Sequence, residues 1–209
     1  MDVELLLDKA QNAFSLLVEK IDRLSIWDRS KFPFWWRKAA KWRTVWRIVE
    51  ELITQNLEKY HSEFWISEII VSDSEVSIFD MMCKFDWIDI PVYFNIKSAV
   101  QWWKINKDDL SKAEGLISFY EGDINRHYFV ATFVISFNDD MTIWLEKAVV
   151  FPLAWIPDIY INPSNNWNMQ SSKYKDISTA VKRNNQDFFN LLKSEYLVAK
   201  GKKAKKSLN

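Results

Sequence analysis

Cysteine is almost missing from this chain, because Cys83 is the only one among 209 residues. A single thiol excludes an internal disulfide framework and any zinc site built from several cysteines. It sits among Met81, Met82 and Phe85, so we expect Cys83 to be a small buried side chain. The two histidines, His61 and His127, are too few for a histidine-rich metal site, and we expect both to be structural.

Glycine and proline are also scarce, at three and five residues, while 48% of the chain is hydrophobic. This composition favours a folded chain over a disordered one. The sequence shows no signal-peptide pattern and no apolar run long enough to span a bilayer. We therefore expect a soluble, cytoplasmic protein without membrane attachment, whose length suits one domain of ordinary size.

The net charge is zero, yet the charged residues are unevenly distributed. Residues 28–47 contain seven basic residues and one acidic residue, and residues 173–206 contain ten basic and three acidic residues. Basic flanks around an acidic centre suit a protein that binds a polyanion, although basic ends also occur as solvated faces and tails. The 12 tryptophans, 14 phenylalanines and 7 tyrosines suit either a large core or a binding surface.

Hydrophobic spacing predicts helices and strands in alternation. Apolar stripes of helical period lie near the N-terminus, from about residue 37 to Tyr60, over 107–123 and over 178–200. In the helix over 107–123, we expect Asp108 and Asp109 in the first turn. The whole order predicts an α/β (α+β) fold with a mixed central β-sheet flanked by helices. The predicted strands are 62–71, 76–85, 91–100, 127–137 and 142–151.

A polar group occupies an unexpected place on two neighbouring predicted strands. Asp80 shares a face of the first strand with apolar residues, which is costly unless the carboxylate is paired, hydrogen-bonded or bound to a cation. Because side chains alternate along a strand, Asn95 and Lys97 share one face of the second. Across a hairpin closed near residues 86–89, Asp80 can approach the face that carries Asn95 and Lys97.

A carboxylate, an amide oxygen and an ammonium group at one place suit metal-assisted phosphodiester hydrolysis. Carboxylate and carbonyl oxygens hold Mg²⁺, which lowers the pKa of a bound water. Lys97 would then orient or deprotonate the attacking water and neutralise the phosphate. A plainer interpretation also fits these residues: Asn95 and Lys97 on the wet face of an edge strand, and Asp80 hydrogen-bonded within a turn.

Asp80, the hairpin and the segment IPVYFNIKS together resemble the nuclease core of the PD-(D/E)XK superfamily, and specifically its type II restriction endonucleases. The resemblance implies a restriction-endonuclease-like core with a helical N-terminal part. It implies that Asp80 is the first acid and Lys97 the lysine of an acid-x-lysine triplet. Asn95 occupies the position of the second acid, where it offers an oxygen to the metal but adds no negative charge.

The same resemblance implies a further acid from the preceding helix. Glu50 lies on the flank of that helix's apolar stripe, from which it can reach a sheet, whereas Glu51 lies nearly opposite the stripe. Glu50 is therefore the preferred residue, Glu51 is second choice, and Glu75 stays a third candidate. The implied Mg²⁺ ligands are Asp80, Asn95 and Glu50.

The stretch WIPDIYINPSNNWNMQSSKY also resembles restriction enzymes, in which an Asn-Pro followed by polar amides occurs at this relative place. Amide side chains can bond adenine and lysines can bond phosphates, although a solvated turn selects the same residue types. The basic aromatic segment FPFWWRKAAKWRTVWR, residues 32–47, is a second candidate DNA surface, unless its tryptophans belong to the core or to a dimer interface. The expected DNA contacts are Asn162, Asn165, Asn166, Asn168, Gln170, Lys173, Arg37 and Lys38.

These observations predict a sequence-specific type II restriction endonuclease, a Mg²⁺-dependent deoxyribonuclease that acts on double-stranded DNA. A homodimer follows, since palindromic sites are matched by two-fold proteins. Two alternatives stay open: a catalytically weak or inactive DNA-binding protein of the same fold, and an aromatic-rich protein-interaction domain. The expected single nuclease domain, 1–209, comprises a helical or dimerisation part (1–36), a catalytic core (37–150), a recognition loop with the C-terminal helix (151–200) and a basic tail (201–209).

Overall fold

A six-stranded mixed β-sheet forms the centre of the structure, with the strand order β1-β7-β6-β4-β3-β2. Strands β4 and β6 are parallel, and the other neighbouring strands are antiparallel. The structure is a computed structural model that describes residues 2–25, 45–72, 74, 77–101, 107–138 and 142–206. The six strands are β1 (Arg23–Ser25), β2 (Ile66–Val71), β3 (Met81–Phe85), β4 (Ile88–Val100), β6 (His127–Phe137) and β7 (Thr142–Pro152).

Helices cover both faces of this sheet, so the sheet separates two apolar cores. On one face, Phe14 packs edge-on against Phe94 with ring centroids 5.0 Å apart. On the other face, Tyr120 packs against Phe188 at 5.7 Å. This arrangement confirms the predicted mixed sheet flanked by helices. The helices are α1 (Val3–Ile21) and α2 (Val45–Tyr60) on the first face, and α3 (Ala113–Gly122) and α4 (Asn185–Lys206) on the second.

The central part of the chain follows the predicted helix–hairpin–helix–strand order. Helix α2 is followed by the antiparallel strands β2, β3 and β4, then by α3, and then by β6, which pairs in parallel with β4. The strand predicted over 76–85 is shorter, because β3 begins only at Met81 and Asp80 lies just before it. Cys83 is buried in β3, as predicted, and its burial raises the pKa of the thiol.

A second, three-stranded sheet corrects two predictions. Its strands are β5 (Asp108–Lys112), β8 (Tyr160–Asn162) and β9 (Asn168–Ser171), in the order β5-β9-β8. The helix predicted over 107–123 is wrong in its first part, since Asp108 and Asp109 belong to β5. The predicted polar loop is also wrong in part, because it contains the antiparallel hairpin of β8 and β9.

Three further predictions concern the C-terminal helix, the candidate residues in the basic aromatic segment and at Glu75, and the crossing of a membrane. Helix α4 begins at Asn185 rather than near residue 178, and it continues to Lys206, within the predicted basic tail. Residues 32–44 of the basic aromatic segment, among them Arg37 and Lys38, lie outside the described residues, as does Glu75. In the part of the chain that the structure describes, no helix has the length and apolar character that crossing a membrane requires.

Candidate active site

The candidate site lies at the edge of β4, just beyond the point where its pairing with β3 ends. Pairing between the two strands reaches Met81 and Phe94, and the N–H of Asp80 still donates to the carbonyl of Phe94 at 2.8 Å. Alternate backbone groups of a strand point to the same edge. The N–H groups of Ile96 and Ser98 therefore point to the edge of β4 that β3 no longer covers.

Two carboxylates accept hydrogen bonds from these two N–H groups. Asp80 Oδ2 accepts from the N–H of Ile96 at 2.5 Å. Glu50 Oε1 accepts from the N–H of Ser98 at 3.2 Å and lies 3.5 Å from the Ser98 hydroxyl. Since Ile96 and Ser98 flank Lys97, the two carboxylates are anchored on either side of this lysine.

The helix register explains which glutamate reaches the sheet. Val49 and Ile53 belong to the buried apolar stripe of α2. Glu50 lies on the flank of this stripe, as the sequence predicts. Glu51 is exposed, and its Oε1 accepts from the side chain of Gln55 at 2.8 Å. The structure thus places Glu50, and not Glu51, beside Asp80 and Lys97.

The electrostatics of the three groups are coupled. Burial raises the pKa of Glu50, the positive charge of Lys97 opposes this effect, and the negative charge of Asp80 adds to it. The pKa of Asp80 is also raised by the packing around its carboxyl group, against which Lys97 and the hydrogen bond from Ile96 act, although the residue itself is exposed to solvent. A half-buried carboxylate and an exposed one that repel each other across Lys97 are a favourable place for a cation.

Asn95 is buried, and does not lie on the wet face of an edge strand as one interpretation of the sequence predicts. Its side chain is 7% exposed, and Nδ2 donates to the carbonyl of Leu110 at 2.8 Å and to the Tyr128 hydroxyl at 3.4 Å. The Tyr128 hydroxyl in turn donates to the carbonyl of Ile78, two residues before Asp80. Asn95 therefore ties β4 to β5 and, through Tyr128, to the segment that carries Asp80.

This network gives a physical reason for an amide where the resemblance predicts an acid. A carboxylate has no hydrogens with which to donate to Leu110 and Tyr128. Among the described residues, Oδ1 of Asn95 has no hydrogen-bond partner. The amide group thus has a structural function through its nitrogen, and its oxygen keeps its capacity to accept or to bind a cation.

The available donors fit a divalent cation with few protein ligands. Within the described ranges, no three His, Cys, Asp or Glu side chains form a group that could hold a metal ion. Glu50 and Asp80 nevertheless supply two carboxylates, and Mg²⁺ is commonly held by one or two carboxylates while it keeps several waters. The donor set therefore fits Mg²⁺ better than a metal that needs a full cage of protein ligands.

A cleft of about 1120 Å³ opens beside Glu50 and Lys97. Its walls come from α2, the end of β4, β5, β7 and the segment that carries β9. The predicted DNA-binding residues Asn165, Gln170 and Lys173 line this cleft. The other predicted amides, Asn162, Asn166 and Asn168, are not among the lining residues. The basic residues that line it are Arg47, Lys97, Lys107, Lys147, Lys173 and Lys175.

Two acids in this cleft were not predicted to be functional. Asp109 accepts hydrogen bonds from both Asn165 and Gln170, and Asp108 accepts from the Tyr174 hydroxyl and from Lys175. In the sequence, the helical spacing after Asp109 made both acids look like residues of a first helical turn. One sequence pattern could have identified Asp108 and Asp109: an acidic pair together with an amide-rich strand that could lie beside it.

The fold and the site together define an α/β protein whose central strand presents a lysine between two anchored carboxylates. No protein-family model matches the chain, and no curated protein matches it. Among solved structures it is similar to NlaIV restriction endonuclease, with a TM-score of 0.39 and 11% identity. The match covers 60% of this chain and 52% of that enzyme, about half of its length. A likeness this distant says nothing about activity, so a function has to be inferred from the site.

Proposed function

We propose that this protein is a Mg²⁺-dependent, sequence-specific endonuclease of the type II restriction class that hydrolyses phosphodiester bonds in double-stranded DNA. One observation supports this above all: Asp80 and Glu50 are held by backbone N–H groups on the two sides of Lys97, and Glu50 and Lys97 line a large cleft. Asp80 and Lys97 are also residues on which the sequence resemblance to PD-(D/E)XK nucleases depends, and Glu50 is the further acid that this resemblance implies.

The metal ligands in this proposal are Asp80 and Glu50. The amide oxygen of Asn95, which has no hydrogen-bond partner in the described part of the chain, is a further candidate. All three offer oxygen atoms, which Mg²⁺ prefers. When bound, Mg²⁺ supplies positive charge that stabilises the negative charge developed on the phosphate during hydrolysis.

Lys97 has two tasks in this proposal. Its ammonium group neutralises the phosphate at the bond to be cut, and it orients the attacking water by hydrogen bonding. Glu50 is assigned to the metal: burial and the negative charge of Asp80 raise its pKa in the metal-free protein, and a bound cation would favour its ionised form. Its anchoring to Ser98 keeps this carboxylate close to Lys97.

The cleft would hold the DNA. Lys107, Lys147 and Lys173 line it and would contact phosphates, while Asn165 and Gln170 would contact bases. We propose the same phosphate-binding function for Arg37 and Lys38. A homodimer is part of the proposal, because a two-fold protein matches a palindromic site. Sedimentation equilibrium tests it, and a monomer at micromolar concentration would contradict it.

Plasmid cleavage with a matched pair of lysine variants tests the proposal. With Mg²⁺, the wild type should give discrete fragments. Lys97→Ala should cut at least 100-fold more slowly at saturating enzyme, because removing one group that stabilises developing charge costs roughly 10²–10³-fold in rate, and it should still bind DNA. Lys147→Ala, in the same cleft, should lose affinity but cut at nearly the wild-type rate at saturation. No fragments from the wild type at any salt concentration would contradict the nuclease.

An inactive DNA-binding protein of the same fold is the second candidate, and Asn95 favours it. The amide hydrogens of Asn95 are used within the fold, and the residue adds no negative charge to the metal site. Salt-dependent binding of duplex DNA by the wild type, without cleavage in Mg²⁺ or Mn²⁺, would decide for this function.

A further inference from the structure

One carboxylate in the cleft holds two amide side chains at once. Oδ2 of Asp109 accepts from Nδ2 of Asn165 at 2.6 Å, and Oδ1 accepts from Nε2 of Gln170 at 2.6 Å. Asp109 lies opposite Gln170 in the β5–β9 register. Asn165 lies in the connection between β8 and β9, so strand and turn meet at the same carboxylate.

This contact determines which end of each amide faces outward. A carboxylate only accepts hydrogen bonds, so the NH₂ group of each amide must face Asp109 and the oxygen must turn away from it. One of the two amide hydrogens is used by Asp109. Each amide then keeps one N–H and one carbonyl oxygen, although Oε1 of Gln170 also has a long contact of 3.5 Å with Nδ2 of Asn162.

One N–H and one oxygen are what an amide needs to recognise adenine. In the major groove, adenine presents the N7 acceptor beside the N6 amino donor, and Asn or Gln can bond both. Asn165 and Gln170 line the same cleft as Glu50 and Lys97. A duplex seated against the carboxylates would therefore have base edges within range of the amides.

We propose that Asp109 is a positioning residue for sequence recognition: it fixes Asn165 and Gln170 in the orientation that reads adenine in duplex DNA. The inference rests on the proposed function. Holding the amides before DNA arrives reduces the side-chain entropy that binding would otherwise lose. In this proposal Asp109 acts on recognition through the two amides that it holds, and not by contact with the base.

Selection from a duplex library with a randomised 12-base-pair core, without Mg²⁺ so that no DNA is cut, tests the inference. The wild type should enrich a motif that contains adenines. Asp109→Asn should relax the preference at those positions, where a bidentate contact gives roughly 5- to 150-fold discrimination. Asp108→Asn is the matched control, because Asp108 lies on the same strand and in the same cleft but bonds Tyr174 and Lys175. It should keep the wild-type motif.

The outcomes separate this inference from the proposed function. An enriched motif that is identical in the wild type and in Asp109→Asn would overturn the inference and leave the DNA-binding function intact. Equal relaxation in the Asp108 and Asp109 variants, or a motif without adenine, would also overturn it. A wild type that binds no duplex would overturn both. Asp109→Glu keeps the charge but displaces the carboxylate, so it should relax the same positions if Asp109→Asn does not fold.

Discussion

Glu50 reduces the stability of the metal-free protein at neutral pH. Burial raises the folded-state pKa of this half-buried carboxylate above its value in the unfolded chain, whereas Asp80 is exposed, so water screens its charge and reduces the corresponding cost. The folded state then binds more protons than the unfolded state in the interval between the two pKa values. The free energy of unfolding therefore falls as the pH rises through that interval, and the cost is fully present above the raised pKa.

Removing the Glu50 charge should consequently stabilise the metal-free protein. We expect Glu50→Gln to raise the melting temperature at pH 7.5, by about 2–4 °C per kcal/mol of relieved cost, and to abolish cleavage. Asp80→Asn, at an exposed position, should abolish cleavage with a smaller rise in melting temperature. Glu51→Gln, on the water side of the same helix as Glu50, should change neither quantity. Thermal unfolding in EDTA followed by circular dichroism measures the effect, and a lower melting temperature of Glu50→Gln would contradict it.

Asn95→Asp should destabilise the protein rather than restore a stronger metal site. The carboxylate would lose the hydrogen bonds to Leu110 and Tyr128, and an unpaired buried group costs about 1–3 kcal/mol. Burial would raise its pKa, so we expect stability to recover as the pH falls. Urea unfolding at pH 8 and pH 5 measures this, with the exposed Asn166→Asp as control. Faster cleavage together with unchanged stability would refute the structural function of Asn95.

At the level of secondary structure elements, α3 holds the segment that carries Asp80. A Cβ atom at Gly115 would lie 2.4 Å from Cγ2 of Ile78, far inside contact distance. The carbonyl of Ile78 accepts from Tyr128, and Asp80 follows two residues later. Gly115 therefore permits a close approach of helix and segment on which the position of Asp80 depends.

Gly115→Ala should destabilise the protein although alanine favours helices. Overpacking costs roughly 1–3 kcal/mol, which exceeds the gain of about 1 kcal/mol in helix propensity. Gly201→Ala, in α4 with no atom within 4 Å of the new Cβ, should stabilise slightly. Ile78→Ala should rescue Gly115→Ala by removing Cγ2. Chemical denaturation of the single and double variants tests this, and a stabilised Gly115→Ala would contradict it.

The elements with strong periodicity were predictable from sequence, and those that depend on long-range pairing were not. The apolar stripe of α2 correctly put Glu50 on its flank, and strand alternation put Asn95 and Lys97 on the same face. Strand β5 was not predicted, because its sequence DDLSK lacks the β-branched and aromatic residues typical of strands. Its pairing with β9 also joins distant parts of the chain. The burial of Asn95 likewise depends on Leu110 and Tyr128, whose proximity no local pattern encodes.

For the whole molecule, the charge on the cleft determines how DNA binding depends on salt. Each phosphate contact releases counterions, so the logarithm of the affinity should fall by about 0.9 per contact for each tenfold rise in salt. We expect Lys147→Ala and Lys173→Ala each to reduce that slope by about one contact. Lys193→Ala, on α4 and paired with Glu121, should leave it unchanged. Fluorescence anisotropy with a labelled duplex measures the slopes, and a salt-independent affinity would contradict DNA binding in the cleft.

The anchoring of Asp80 and Glu50 to backbone N–H groups has an evolutionary consequence. Almost any residue at positions 96 and 98 provides the same N–H, and only proline removes it. Ile96 is fully buried and Ser98 nearly so, so packing in the core, and not the anchoring of the carboxylates, limits which side chains these positions accept. Across homologues, we expect the two acids and Lys97 to persist while positions 96 and 98 exchange between side chains of similar volume, with proline excluded from both positions.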